Sequence, residues 1–317
     1  CLVIAHRNVL ITQASQKLAL FNVSHNVIAS MAAINHCAKV HRIFGDCHVN
    51  RSCDTHYVAS IDSILSRIKR GVLNIDFDEN WLIIIDEAHH VTKDNKWGLL
   101  KKTFKNARMI GFTATPCRLD GKALHASKDG IFDRLVQSSS LKEKSVETLI
   151  KRGFLSNAKI YSVNGHIDKN KLKITFGDYS TKSQELLINR GTVIGNVVDE
   201  YMRLAKNKQA VAMCISIENA NIIANIFRSA GIASAAISSK LTRTEIYRRL
   251  DAFRRKEIKV LCSVDMIGEG FDVPGIEAII LIRKTASFGL YRQWIGRALR
   301  PNDGKNYATV IDHATNV

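Results

Sequence analysis

Residues 83–90 of this 317-residue chain read Ile-Ile-Ile-Asp-Glu-Ala-His-His. The apolar run predicts a buried strand. It would deliver two adjacent carboxylates at its carboxyl end, the edge where open α/β sheets bind ligands. There Asp86 can hold the water shell of a Mg²⁺ ion while Glu87 polarises an attacking water. The same acidic pair also suits a plain strand-to-helix junction, where Asp and Glu cap. Residues 111–116 read Gly-Phe-Thr-Ala-Thr-Pro and also follow a strand. Thr113 and Thr115 place two hydroxyls on its exit, although Thr and Pro at a strand end are ordinary turn chemistry.

Residues 293–301 read Gln-Trp-Ile-Gly-Arg-Ala-Leu-Arg-Pro. On a helix, Gln293, Arg297 and Arg300 fall at i, i+4 and i+7 and point one way, with Gly296 permitting close approach. Two fixed guanidinium groups on one face suit a phosphate in transfer. A solvated basic helix face is the alternative. Residues 268–274 read Gly-Glu-Gly-Phe-Asp-Val-Pro. Glycines such as Gly270 let the backbone approach a ligand, and Asp272 can accept from a ribose hydroxyl. The plain alternative is a glycine-rich turn.

Elements that would position these groups follow from the apolar pattern. Short apolar runs alternate with amphipathic segments, which predicts an α/β fold with parallel sheets. Strands are expected at 1–5, 56–59, 81–85 and 109–112, with helices over 8–21 and the segment carrying Ile61, Ile64, Leu65 and Ile68. A less regular middle has a helix at 145–152, stopped by Gly153, and strands at 158–163 and 171–176. A second series follows, with helices at 193–205, 218–229 and 242–256. Its strands are expected at 210–215, 233–237, 259–263, 278–282 and 309–311. The reading is a first domain over 1–138, a connector over 139–185 and a second domain over 186–317.

The formal net charge is +17 and the sequence pI is 9.7. It divides as +6 over 1–138, +4 over 139–185 and +7 over 186–317, so there is no basic tail. A spread excess of this size favours a nucleic-acid partner along a groove. A surface for acidic lipids and ordinary solubility charge are the alternatives. No apolar run approaches the roughly 18 residues of a membrane span. Seven cysteines without paired spacing point to reduced thiols in a cytoplasm. The His/Cys-rich stretch 36–56 matches no common zinc spacing and reads as a polar surface loop.

The four elements, in this order, resemble the superfamily 2 nucleic-acid helicases and translocases. Asp86-Glu87-Ala88-His89 looks like motif II, the Walker B box, and Thr113-Ala114-Thr115 like motif III. Gly268 to Asp272 looks like motif V and Gln293 to Arg300 like motif VI. Ala5-His6-Arg7 resembles motif Ia, Val58-Ala59-Ser60-Ile61 the next DNA-contacting motif, and Met213-Cys214-Ile215-Ser216 motif IV. The likeness is greatest to phage and bacterial DEAH-type helicases related to the XPB/Ssl-like and type I restriction motors, where residues 116–121 and 283–287 also look familiar.

The resemblance implies two tandem RecA-like domains and ATP with Mg²⁺ as cofactors. It implies that Asp86 positions Mg²⁺ through water, that Glu87 is the general base, and that Arg297 and Arg300 act as arginine fingers supported by Gln293. His89, Thr113 and Thr115 would serve the nucleotide, as would Gly270 and Asp272. His6, Arg7, Ser60 and Ser216 would lie along the nucleic-acid backbone. The implied partner is nucleic acid, with the restriction-like and repair-like likeness favouring DNA, and no membrane. Motor work inside a larger restriction or repair complex, or a clamp that no longer hydrolyses ATP, are the other readings. The P-loop pattern Gly-x-x-x-x-Gly-Lys-Ser/Thr occurs nowhere in the chain. The first domain is therefore expected to lack its initial strand, P-loop and helix. The intact protein is expected to be the ATP hydrolase, and this chain alone to be inactive.

Overall fold

The computed structural model describes residues 1–43, 49–50, 52–114, 123–125, 130–163, 169–175, 178–188, 197–264 and 275–316. They form two units, Cys1–Val136 and Gln137–Val317.

In the first unit, strands β1 (Leu2–Ala5), β2 (Asn26–Ile28), β3 (Tyr57–Ser60), β4 (Leu82–Asp86) and β5 (Arg108–Phe112) form one sheet in the order β2-β3-β1-β4-β5. Every pairing is parallel. Alternation along β1 explains the two buried faces. Leu2 and Ile4 join Ile83, Ile85, Trp97, Leu100 and Phe104. Val3 and Ala5 join Ile11, Val27 and Val58 on the other side. The helices are α1 (Asn8–Leu20), α2 (Met31–Ile43), α3 (Ile61–Lys69) and α4 (Lys96–Thr103). β5 lies at the sheet edge with Ile110 and Phe112 exposed.

In the second unit, β6 (Asn157–Ser162), β9 (Ala210–Met213), β10 (Ser234–Ile237), β11 (Val260–Ser263), β12 (Ala278–Leu281) and β13 (Tyr307–Asp312) form a parallel sheet. Its order is β10-β11-β9-β12-β13-β6. Ala210 and Ala212 face one core with Cys262 and Ile280, while Val211 and Met213 face the other with Leu261 and Ile279. The helices are α5 (Ser145–Lys151), α6 (Thr181–Ile188), α7 (Val197–Leu204), α8 (Ile217–Ser229), α9 (Arg243–Arg254) and α10 (Phe288–Ala298). A two-stranded hairpin, β7 (Ile174–Thr175) and β8 (Asp178–Tyr179), precedes α6.

Several elements differ from the sequence reading. The 139–185 stretch supplies β6, which pairs with β13 over six residues as the sheet's last strand. The expected strand at 171–176 is shorter, with a 3₁₀ turn at Lys169–Lys171 ahead of β7. The expected surface loop at 36–56 begins as the end of helix α2, which buries Cys37 and His41 completely. His41 and His25 both meet Ser15 Oγ through Nε2, at 3.1 and 2.7 Å. One buried hydroxyl thus meets both rings, and His25 Nδ1 also meets Val23 O at 2.8 Å. Among the described residues no cluster of three or more His, Cys, Asp or Glu side chains is arranged to hold a metal ion. Cys47 and His48 lie outside them. Among the described residues no helix is long and apolar enough to cross a membrane.

His313, at the end of β13, is 2% exposed, and its Nε2 has no partner among the described residues. Burial pulls its pKa down to about 4, against the opposite pull of Glu200 and Asp312. The unfolded chain therefore binds the extra proton first as pH falls below the ordinary histidine value near 6.5. Stability from the neutral ring is complete above that value and is lost as pH falls towards 4. Going from pH 7 to pH 5 should remove about 2 kcal/mol through this group. Urea unfolding should show that loss in the wild-type chain and not in His313→Gln. An equal loss in both would show that His313 does not carry it.

Candidate functional site

In the first unit the chemistry-bearing residues gather at the carboxyl edge of the sheet. Asp86 ends β4 opposite Phe112 of β5, so Thr113 follows on the neighbouring strand. Ala5 of β1 pairs with Ser60 of β3, which places His6, Arg7 and Ser60 on the same edge. This arrangement follows from parallel pairing: every strand exits the same way, so every following loop faces one side.

Glu87 turns the chain sharply, with φ 52° and ψ 51°. That left-handed conformation costs a non-glycine residue on the order of 1–3 kcal/mol and concentrates at functional sites. The Glu87 N–H donates to Asp86 Oδ1 at 2.9 Å, so one carboxylate oxygen braces the turn that presents the other carboxylate. The 3₁₀ turn Ala88–His90 follows. His89 is 2% exposed, and its Nδ1 lies 3.3 Å from Glu87 Oε2 and 3.1 Å from Thr113 Oγ1. One ring nitrogen thus joins the two carboxyl-edge motifs, β4 to β5. Gly111 makes this proximity possible. A Cβ there would sit 2.6 Å from the Ala88 Cβ and 2.5 Å from Phe132 Cζ.

The His6 and His90 rings pack at a tilt of 58° with centroids 4.5 Å apart, and His90 contacts His89 at 4.2 Å. Arg7 Nε donates to His6 Nε2 at 3.3 Å. A line of imidazoles therefore runs from the β1 exit to the carboxylate pair, a feature the reading of separate motifs did not anticipate. Ser60 is 7% exposed, so little of it faces solvent. Asp86 and Glu87 supply oxygen donors only, half-buried, at a ligand-binding edge. That donor set fits a hard cation such as Mg²⁺.

In the second unit, Gln293 and Arg297 lie one turn apart on α10 beside its buried stripe of Trp294 and Ala298. Both are half-buried. Arg300 is not on the helix, as its expected i+7 position assumed. The helix ends at Ala298 with Leu299 as C-cap, and Arg300 lies beyond it, exposed. A Cβ at Gly296 would meet nothing within 4 Å, so this unit itself does not need the glycine there. Lys305 Nζ secures the helix end by donating to the Ala298, Ile276 and Arg300 carbonyls. Burial pulls that lysine down to about 8, with Glu277 raising it and Lys208 lowering it further. Ser216 caps α8, its Oγ accepting from the Asn219 N–H at 3.2 Å. Thr115, Gly270 and Asp272 lie outside the described residues.

Known proteins show the same two-part organisation. The family described as "Type III restriction enzyme, res subunit" matches residues 1–118, and the "Helicase conserved C-terminal domain" matches residues 193–302. A "51.5 kDa protein" of a Lactococcus phage (isolate 7-9) is 36% identical over 235 residues, covering 74% of this chain and 49% of that protein. The "Putative ATP-dependent helicase IRC3" of Saccharomyces cerevisiae is 27% identical over 322 residues, covering 98% of this chain and 42% of its own length. This chain thus spans about half or less of the length of these curated relatives. A solved fragment of a putative HsdR subunit of a type I restriction enzyme from Vibrio vulnificus YJ016 superposes with TM-score 0.64 at 19% identity. That match covers 98% of this chain and 52% of the fragment. The carboxyl-edge carboxylate pair, the parallel sheet of each unit and the two matched families together place the chain, with its two RecA-like domains, in superfamily 2 of the helicases.

Proposed function

We propose that the intact protein is an ATP-driven nucleic-acid motor, a helicase or translocase acting on DNA, and that this chain forms its two RecA-like domains over 1–138 and 186–317. The observation that carries the reading is the linked set Asp86, Glu87, His89 and Thr113 at one sheet edge. Bound ATP supplies the phosphoryl group, and Mg²⁺ supplies charge neutralisation. In this reading Asp86 holds Mg²⁺ through water, and Glu87 takes the proton of the attacking water. His89 relays the state of that carboxylate to Thr113. Arg297 and Arg300 stabilise charge on the transferred phosphoryl group, with Gln293 beside them. Thr115, Gly270 and Asp272 complete the nucleotide contacts.

His6, Arg7, Ser60 and Ser216 are proposed to contact the nucleic-acid backbone, which hydroxyls and cations bind without reading sequence. The restriction-enzyme description of the family over residues 1–118 supports DNA, and the spread +17 charge supports a polyanion. Work within a larger complex fits the same description. The unbonded thiols of Cys1, Cys37, Cys53, Cys214 and Cys262 support a reducing, cytoplasmic setting. Because the P-loop pattern is not present in these 317 residues, the activity is proposed for the intact protein.

Phosphate release by that protein, measured with and without DNA over a salt series, tests the reading. DNA should stimulate hydrolysis, and the affinity for DNA should fall steeply and log-linearly as salt rises. Equal stimulation by RNA of matched length would move the substrate class. No stimulation by either polymer would sink the motor.

A further inference from the structure

The loop Arg283–Ser287, between β12 and helix α10, has no regular secondary structure, yet all five of its backbone N–H groups are taken. Arg283 N–H donates to Met213 O at 3.0 Å. Lys284 N–H donates to Gln184 Oε1 at 2.9 Å, and Thr285 N–H to Asn316 Oδ1 at 2.8 Å. Ala286 N–H donates to Asp178 Oδ1 at 2.8 Å, and Ser287 N–H to Thr285 Oγ1 at 3.0 Å. Three of these acceptors are side chains from residues distant in sequence. Backbone groups in a loop usually turn to water or to their neighbours, so this satisfaction marks a rigid mount.

Asp178 is its hub. Its Oδ1 also accepts from Thr285 Oγ1 at 3.0 Å, and its Oδ2 pairs with Arg283 Nη2 at 3.0 Å. Both side chains of that ion pair are largely shielded, at 19% and 14% exposed. Such a charge-assisted pair in a shielded setting is stronger and better oriented than one at the surface. Gln184 is fully buried and ties the hub's own strand in place, its Nε2 donating to Tyr179 O at 3.1 Å. On the far side, Lys284 is 2% exposed and donates to the Ala314 and Thr315 carbonyls at 2.6 Å each.

The loop ends at Ser287, whose Oγ caps α10 by accepting from the Leu290 N–H at 3.3 Å. What fixes the loop therefore fixes the start of the helix that carries Gln293 and Arg297. We propose that Asp178 is a positioning residue that sets the angle at which α10 presents Arg297 to the transferred phosphoryl group. This rests on the motor reading given above. A displacement of about 1 Å in such a group can cost about a hundredfold in rate without touching ground-state binding. The loss therefore belongs in kcat.

The test uses the intact protein with DNA. Asp178→Ala should lower kcat for ATP hydrolysis by about 10- to 100-fold while KM for ATP stays within about threefold. Asp178→Asn keeps the Oδ1 acceptor for Thr285 and Ala286 but loses the ion pair with Arg283, so it should recover kcat in part and stay severalfold above Asp178→Ala. Hydrogen exchange at the 284–286 amides should quicken in the alanine variant and not in the asparagine variant. A kcat unchanged in Asp178→Ala would overturn the proposal. So would equal losses in the two variants, or a loss confined to KM. An unmutated protein that DNA does not stimulate would instead sink the motor reading, and the positioning role with it. Exchange at 284–286 would then still report whether Asp178 holds the loop.

Discussion

Glu87→Gln in the intact protein removes DNA-stimulated ATP turnover, by about 10²- to 10⁴-fold, and leaves DNA affinity unchanged. The substitution is nearly isosteric. Glutamine adopts the left-handed turn at position 87 no less readily than glutamate, and its amide can still meet His89 Nδ1, which lies 3.3 Å from the carboxylate. What it cannot do is accept a proton from water at neutral pH. A fall in turnover with intact binding therefore isolates the base from the scaffold. Steady-state phosphate release and DNA binding at matched salt measure the two quantities. Turnover kept within about tenfold of wild type would move the base to another residue.

The second large effect is in the second unit. An arginine finger contributes about 10³- to 10⁵-fold to phosphoryl transfer, because it meets charge that develops only in the transition state. Arg297→Ala should show a loss of at least about 10³-fold in single-turnover hydrolysis. Its side chain is half-buried on a helix secured by Ser287 at one end and Lys305 at the other, so little entropy is lost on engagement. Arg300→Ala should cost less, about 10²-fold, because residue 300 lies exposed beyond the helix end, where the helix does not set its direction. Lysine at position 297 should not restore the rate, since an ammonium cannot present the planar fork. Equal losses at 297 and 300 would overturn this ranking, and no loss at either would remove both from the site.

Much of this was readable from the chain because parallel strands announce themselves. Ile279–Ile282 are buried on both faces, and Ile83 and Ile85 are buried with Ile84 half-buried between them, so both runs are continuously apolar. Their loops then share one sheet edge by topology alone, which is why Asp86, Thr113 and His6 all lie at the carboxyl edge of the first sheet. Short elements without that signature were not readable. β2 has three residues, and α4 is an eight-residue helix started by Asn95, whose Oδ1 accepts from the Trp97 N–H. The strand at 158–163 is expected from the sequence but its place is not, because β6 is half-polar at a sheet edge, with Ile160 exposed. The mount under α10 was invisible for a different reason. Asp178, Gln184, Lys284 and Asn316 are ordinary polar residues in sequence, and only tertiary contact over a hundred positions gives Asp178 and Gln184 a shared task.

Two of the sheet edges are finished differently. On β10 the outward carbonyls of Ser234 and Ala236 accept from Arg228 and Arg249, so an approaching strand would find its acceptors already taken. On β5, Ile110 and Phe112 stand exposed at the rim of the first sheet. Concentrated solutions of this chain should therefore self-associate by β5 rather than β10. Charged replacements at Ile110 and Phe112 would be the first route to a monodisperse sample.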